Sequence, residues 1–409
     1  LHYAITTGDP MAQAYFDQGL RLYWAFNHAE AVRAFAEAER RDPACAMCAF
    51  GQALALGPNI NAPMDSATGM QAWAAARRAL TLPGRGEREE GMIRALGERY
   101  DPARSRAAAD TAWADAIGRV ADRYPEDLDL QAFHAEALMD LSPWRYWMPD
   151  GSARPATLTI LARIERVLAA NPDHAGGCHL LIHAVEAVEP ERAVACAERL
   201  AGLMPGAGHL VHMPGHIYIR VGRYADAIRA NEHAVHADEH FFEGPNVSRQ
   251  GLYGLGYYPH NWHFMSFAAS MSGRRAVALR AARRVTETVG SEQARAQPWL
   301  EAVTPVVYYT MVTFGDWGGI LAEPLPPTDL RFTTGMAYYG RGVAFAARRR
   351  WAEARAALDS VRGIVRGLPD GDNRIAMQIA ERMLDGEILL RSGEPRAAVR
   401  AFTEAVALE

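Results

Sequence analysis

The chain has 409 residues, of which 49% are hydrophobic and 22% are charged, a composition typical of globular proteins. Its formal net charge of -5 and the lack of a basic stripe argue against binding to nucleic acid or to an anionic membrane, so we expect neither partner. All 43 basic residues are arginine, which excludes Schiff-base chemistry and a P-loop lysine. Neither a membrane span nor a secretory signal is visible, which favours a cytoplasmic location.

Helices are predicted along the whole chain. Ala, Arg, Glu and Leu dominate, and apolar residues recur at i, i+3, i+4 and i+7. Small and aromatic residues recur at similar offsets in residues 12–43, 208–240, 335–361 and 386–405. A small residue at such an offset lets two helices pack closely, and an aromatic ring fills the gap beside the next pair. We predict an all-α fold, a single domain over residues 1–409.

The four cysteines do not predict a metal site or a disulfide framework. Cys45 and Cys48 form a lone C-x-x-C without a second pair, and Cys178 and Cys196 are isolated. We interpret Cys45 and Cys48 as small core residues. A redox or disulfide role for Cys45 and Cys48 is the alternative.

Three loop segments interrupt the helical pattern. Residues 57–63 are rich in Pro and Asn, residues 142–151 are aromatic, and residues 241–259 are rich in Gly and Tyr. Long loops in a compact helical array are uncommon and often functional. We predict that these loops are ordered and close over a site.

Histidines are concentrated in residues 174–264, which hold 11 of the 14 in the chain. Seven of them form three groups with i,i+3 or i,i+4 spacing, so each group lies on one face of a helix. We predict that they bind a transition metal, since imidazole with perhaps one carboxylate suits Cu, Fe or Zn. The predicted ligands are His179, His183, His212, His216, His260 and His263, and the predicted catalytic residues are Glu186 and His209.

Three other interpretations of the histidines remain open. The cluster could sense pH near the unperturbed pKa of about 6.5. It could act in acid–base catalysis without a metal, or form a hydrogen-bonded wall for an acidic ligand. The zinc-protease pattern H-E-x-x-H is absent, because Leu-Leu-Ile separates His179 from His183.

The offsets of small and aromatic residues resemble the tetratricopeptide (TPR) repeat. That resemblance implies an α-solenoid of about nine helix hairpins, curved around a central concave pocket that the histidine-bearing helices line. Several stretches also resemble a group of bacterial TPR proteins with no settled activity: residues 15–20, 26–28, 42–48, 57–61, 212–218 and 259–264.

The histidine groups favour a metal-dependent enzyme. It would be either an oxidoreductase or an enzyme of the hydrolase or lyase class. It would activate oxygen or water at the histidines and act on a small-molecule substrate rather than a peptide. The alternative is a TPR adaptor that binds a peptide or protein in its groove without catalysis. A metal that is lost together with activity when His183 is replaced would separate the two.

Overall fold

The computed structural model describes residues 1–83, 85–244 and 247–409, which form helices and no β-strand. The α-helices are Pro10–Trp24 (α1), His28–Arg41 (α2), Ala46–Ala55 (α3), Ser66–Thr81 (α4), Glu87–Arg99 (α5), Arg106–Arg123 (α6), Leu128–Asp140 (α7), Pro155–Ala170 (α8), Ala175–Val185 (α9), Val194–Leu203 (α10), Gly208–His212 (α11), Pro214–Arg220 (α12), Tyr224–Phe241 (α13), Tyr258–Met271 (α14), Arg275–Thr288 (α15), Ser291–Ala296 (α16), Val306–Thr313 (α17), Trp317–Ala322 (α18), Arg331–Ala347 (α19), Trp351–Gly367 (α20), Asp372–Ser392 (α21) and Pro395–Val406 (α22). None of these described helices is both long and apolar enough to cross a membrane.

The chain divides into two compact units. Unit 1 comprises residues 1–223 and 236–241, and unit 2 comprises residues 224–235 and 242–409. In unit 1, consecutive helices pack as the pairs α1/α2, α3/α4, α5/α6, α7/α8 and α9/α10. In unit 2 the packed pairs are α14/α15, α17/α18, α19/α20 and α21/α22. These pairs, taken over the described part of the chain, confirm the predicted all-α, TPR-like solenoid.

Helix starts follow from local side-chain chemistry. Asp9, Asp65 and Asp127 each accept a hydrogen bond from a backbone N–H in the first turn of α1, α4 and α7. Pro10 occupies the first turn of α1, where a missing N–H costs nothing. The polar caps therefore fix where these three helices begin.

The repeat pattern of glycine and aromatic residues reflects close helix packing. A Cβ at Gly19 would lie 2.6 Å from the ring of Phe35, and one at Gly51 would also collide with that ring. Phe35 of α2 therefore fills the space that glycines on α1 and α3 leave open. Gly386 and Phe402 repeat the arrangement between α21 and α22.

All four cysteines are paired. Cys45 is disulfide-bonded to Cys48 at the start of α3, and Cys178 to Cys196 between α9 and α10. The structure therefore shows the disulfide alternative for Cys45 and Cys48, and it also places them in the core, since all four cysteines are buried. Disulfides are rare in cytosolic proteins, so they give no support to a cytoplasmic location, which stays a prediction.

Candidate metal centre in unit 1

Helix α9 carries His179 and His183 on one face. The helix begins at His174, whose Nδ1 accepts a hydrogen bond from the backbone N–H of Gly177 at 2.9 Å. Every residue of α9 is buried. The i,i+4 spacing places the two imidazole rings with centroids 4.9 Å apart, as the sequence predicts.

His179 is oriented by the end of helix α1. Its Nδ1 lies 2.7 Å from the carbonyl oxygen of Trp24. A carbonyl only accepts hydrogen bonds, so Nδ1 carries the proton and Nε2 keeps its lone pair. Nε2 is buried and has no hydrogen-bond partner among the described residues. The lone pair on Nε2 of His179 is therefore available to bind a metal ion inside unit 1.

Glu186 orients two histidines at once. It follows the last turn of α9 and accepts a hydrogen bond from Nδ1 of His183 at 3.2 Å and from Nδ1 of His216 at 2.7 Å. Both rings therefore carry their proton on Nδ1, and the lone pair of His183 lies on Nε2. That atom is also buried and without a partner in the described part of the chain. This carboxylate–histidine arrangement is the one that commonly supports metal ligands.

His209 completes a group of three imidazoles. It lies on the short helix α11, and its ring centroid is 5.0 Å from that of His179 and 6.3 Å from that of His183. One ring nitrogen from each of His179, His183 and His209 lies within 4.8 Å of the others. Since zinc–nitrogen bonds are about 2.0–2.1 Å long, a modest rotation of the rings would bring the three nitrogens around one ion.

Burial keeps these imidazoles neutral. It lowers the pKa of His179 and that of His209 well below the usual value, and neighbouring histidines lower both further. Burial also lowers the pKa of His183, against an opposing effect of Glu186. Burial would raise the pKa of Glu186, but its interaction with His216 and the hydrogen bonds from His183 and His216 hold it well below its ordinary range. Neutral imidazoles beside an ionised carboxylate are suited to a metal.

Two aromatic residues enclose the three imidazoles. The ring of Phe26 lies 4.4 Å from that of His179 and 5.6 Å from that of His209. Trp144 lies edge-on to His183 at 5.0 Å, and its Nε1–H donates to the carbonyl oxygen of Ile60 at 2.9 Å. The sequence does not identify Phe26 as part of a site. Its only signal in the sequence is that residues 26–28 are among the stretches that resemble the bacterial TPR group.

Phe26 and Trp144 both occupy the left-handed region, with φ of 54° and 64°. Non-glycine residues pay about 1–2 kcal/mol for that conformation, and such strain tends to cluster at functional sites. The hydrogen bond from Trp144 to Ile60 joins the loops 142–151 and 57–63 next to His183, which agrees with the predicted role of these two loops. The third loop, 241–259, includes Pro245 and Asn246, which lie outside the described residues.

The other predicted histidines lie in both units. His212 and His216 are buried in unit 1 on α11 and α12, with ring centroids 4.8 Å apart. His260 and His263 lie on α14 of unit 2, where the ring of His260 contacts Phe264 at 4.6 Å and burial lowers the pKa of His263. Membership of these four histidines in a metal site stays a prediction.

The fold and the histidine group define a TPR-like α-solenoid with a candidate metal centre. The fold is similar to solved structures of human IFIT1. One, a dimer with m7Gppp-AAAA, has a TM-score of 0.42 and 11% identity over 99% of this chain and 91% of that chain. Another, a dimer with PPP-AAAA, has a TM-score of 0.38 and 13% identity over 95% of this chain and 89% of that chain. At these identities the similarity concerns the fold alone.

No protein-family model and no curated protein sequence matches the chain. The expectation of a small-molecule partner without nucleic acid is contradicted, because the similar IFIT1 structures hold capped or triphosphate RNA. A mild net charge without a basic stripe does not decide what a helical solenoid binds.

Proposed function

We propose that unit 1 binds one transition-metal ion through Nε2 of His179, Nε2 of His183 and a ring nitrogen of His209. The observation that carries the proposal is that the Nε2 atoms of His179 and His183 are buried and without a partner among the described residues, on rings whose centroids are 4.9 Å apart. Leaving neutral imidazoles without partners in a protein interior costs a few kcal/mol each. A metal would satisfy both lone pairs.

The chemistry of the ligands limits which metal ions the site would bind. Imidazole nitrogens favour Cu, Fe or Zn over Mg or Ca. Three protein ligands leave one position open, as in catalytic zinc sites, so we infer a catalytic rather than a purely structural centre. The bound ion would supply Lewis acidity to water or oxygen.

The residues around the ligands have separate roles in this proposal. The carbonyl oxygen of Trp24 and the carboxylate of Glu186 hold the tautomers of His179 and His183, and Phe26 excludes water from their rings. Glu186 is thus a positioning residue that also holds protons on the two Nδ1 atoms, whereas the sequence predicts a catalytic role for it. We further infer that the chain belongs to the bacterial TPR group that its stretches 212–218 and 259–264 resemble.

Elemental analysis of untagged protein by plasma mass spectrometry tests the proposal. We expect near-stoichiometric Cu, Fe or Zn in the wild type and its loss from His179→Ala and His183→Ala. His236→Ala is the matched control, because His236 is exposed in the same unit and should keep the metal. A wild type that takes up no metal even after soaking would overturn the proposal and favour the adaptor alternative.

A further inference from the structure

A second group of buried polar side chains lies in unit 1, on helix α7. Glu136 and Asp140 are four residues apart, so both project from the same face of the helix. Glu136 is 2% exposed, and the side chain of Asp140 is 4% exposed. Carboxyl groups are seldom buried unless they are paired, so these two need partners.

Only half of the carboxyl oxygens have partners. The hydroxyl of Tyr23 donates to Oε2 of Glu136, and the guanidinium of Arg99 donates to Oδ2 of Asp140 at 2.6 Å. Oε1 of Glu136 and Oδ1 of Asp140 are buried and make no hydrogen bond with any described residue. Arg99 also contacts Asp110 at 3.2 Å, so its single positive charge is shared between two carboxylates.

Tyr146 adds a third oxygen. It lies in the loop that also positions Trp144, it is 3% exposed, and its hydroxyl makes no hydrogen bond with the part of the chain that the structure describes. Burial raises the pKa of this hydroxyl, the backbone N–H of Trp144 lowers it, and the negative charges of Asp140, Glu186 and Glu136 raise it further. The hydroxyl therefore lies within the electrostatic influence of both carboxyl groups.

The electrostatics of the group indicate missing positive charge. Burial raises the pKa of Glu136 to about 8, and the charge of Asp140 adds to the effect. Burial also raises the pKa of Asp140, to about 7, although Arg99 opposes it. A cation placed among these oxygens would let both groups ionise.

We propose that Oε1 of Glu136, Oδ1 of Asp140 and the hydroxyl of Tyr146 bind the protonated primary amine of a ligand. An ammonium group has three N–H donors and one positive charge, so it can donate to three partnerless oxygens and supply the charge that lets both carboxyl groups ionise. An alcohol offers one donor and no charge. A hard metal ion needs six or more oxygens, and Arg99 and Tyr23 already engage the others here.

The amine site is separate from the metal centre but lies beside it. The ring of Tyr23, which holds Glu136, stacks on His28 at 4.9 Å, and His28 contacts Phe26 at 5.9 Å. Phe26 in turn packs on His179. The inference goes beyond the proposed function, because the three oxygens are present whether or not the histidines bind metal.

Calorimetric titration at pH 7 tests the inference, with n-butylamine and n-butanol as matched probes and a Gly-Lys-Gly peptide as a second amine source. Each titration is run on the protein as purified and after chelator treatment, so that the result does not depend on the metal. We expect the wild type to bind an amine probe and not the alcohol. The tighter of the two amines identifies whether a free amine or a lysine side chain is the source.

The variants are Glu136→Gln, which keeps the shape of the side chain, and Tyr146→Phe, which removes only the oxygen. We expect amine affinity to fall at least about tenfold in the first and about threefold or more in the second. Glu126→Gln, the same change at an exposed residue of unit 1, should bind as the wild type does. If Glu136→Gln does not fold, the amine affinity of Tyr146→Phe tests the inference instead. Equal binding of amine and alcohol, no binding of either amine, or unchanged affinity in a folded variant would overturn the inference.

Discussion

The Nδ1–H of His179 donates a hydrogen bond to the carbonyl oxygen of Trp24, 155 residues away in sequence, at 2.7 Å. Trp24 is the last residue of α1, and the carbonyl oxygens of a helix's last turn have no backbone N–H partner within the helix. The imidazole therefore donates a hydrogen bond to a carbonyl at the end of α1, and the same bond fixes the orientation and the tautomer of the ring. The geometry of the candidate centre depends on how closely α9 approaches α1.

Gly176→Ala tests that dependence. A Cβ at Gly176 would lie 2.5 Å from the indole of Trp24, so the two helices must separate. We expect the free energy of unfolding to fall by about 1–3 kcal/mol and the affinity for Zn²⁺ to fall about tenfold as His179 loses its acceptor. Chemical denaturation and chelator competition measure the two quantities.

The control for this change is Gly202→Ala. Gly202 lies on an exposed part of α10, and a Cβ there would meet no atom within 4 Å. Since alanine favours helix over glycine, this variant should gain about 0.5–1 kcal/mol and keep its metal affinity. An unchanged metal affinity in Gly176→Ala would contradict the role given to the contact between Trp24 and His179.

Glu186→Gln tests the shared carboxylate. Glutamine offers one acceptor oxygen, so only one of the two Nδ1–H groups of His183 and His216 can keep its partner. We expect Zn²⁺ affinity to fall about 10–100-fold, the usual cost of removing a carboxylate behind a metal ligand. Glu191→Gln, at an exposed residue just after α9, should bind Zn²⁺ as tightly as the wild type. Equal affinities in both variants would show that Glu186 does not support the site.

The histidine spacing predicts part of this centre. The rest depends on contacts between residues that are far apart in the sequence, which spacing cannot show. The i,i+4 rule is local, so it pairs His179 with His183 correctly. His209, predicted as catalytic, groups with these two because α11 packs near α9, which no local rule shows. The contacts of Trp24 and Phe26 depend on the arrangement of α1 and α9.

The sequence around Glu136 carries a weak signal of its burial. Glu136 lies between Ala135 and Ala137 on α7, where nine of the 13 residues are buried, and a buried acidic residue is uncommon. Its partner Tyr23 is 113 residues away, which is beyond any sequence pattern. The helical class and the repeat offsets were predictable because they depend only on residues within one or two turns.

The stability of unit 1 should depend on pH through Glu136 and Asp140. Their folded-state pKa values, about 8 and about 7, lie above those of an unfolded chain, about 4. The folded state therefore holds protons that the unfolded state releases, and stability is greatest at low pH and lost as pH rises through these values. The histidines with lowered pKa act in the opposite direction, but only below their unfolded pKa of about 6.5.

Between pH 7 and pH 8.5 the carboxyl groups of Glu136 and Asp140 should determine how the unfolding free energy changes with pH. Over this window we expect chelator-treated wild type to lose on the order of 1–2 kcal/mol of unfolding free energy. Glu136→Gln, which cannot ionise, should lose clearly less, and the exposed variant Glu126→Gln should lose as much as the wild type. Urea denaturation at the two pH values measures the difference. A rise in wild-type stability with pH would contradict the raised pKa values.

X-ray absorption spectroscopy at the edge of the bound ion tests the central claim most directly, because it reports the ligand atoms. We predict a shell of nitrogens that includes three imidazoles, at about 2.0–2.1 Å if the ion is zinc. His183→Ala should show two imidazoles, and His236→Ala should show three. A shell of oxygen or sulfur without imidazole, or a spectrum that His183→Ala leaves unchanged, would contradict a metal centre built on His179, His183 and His209.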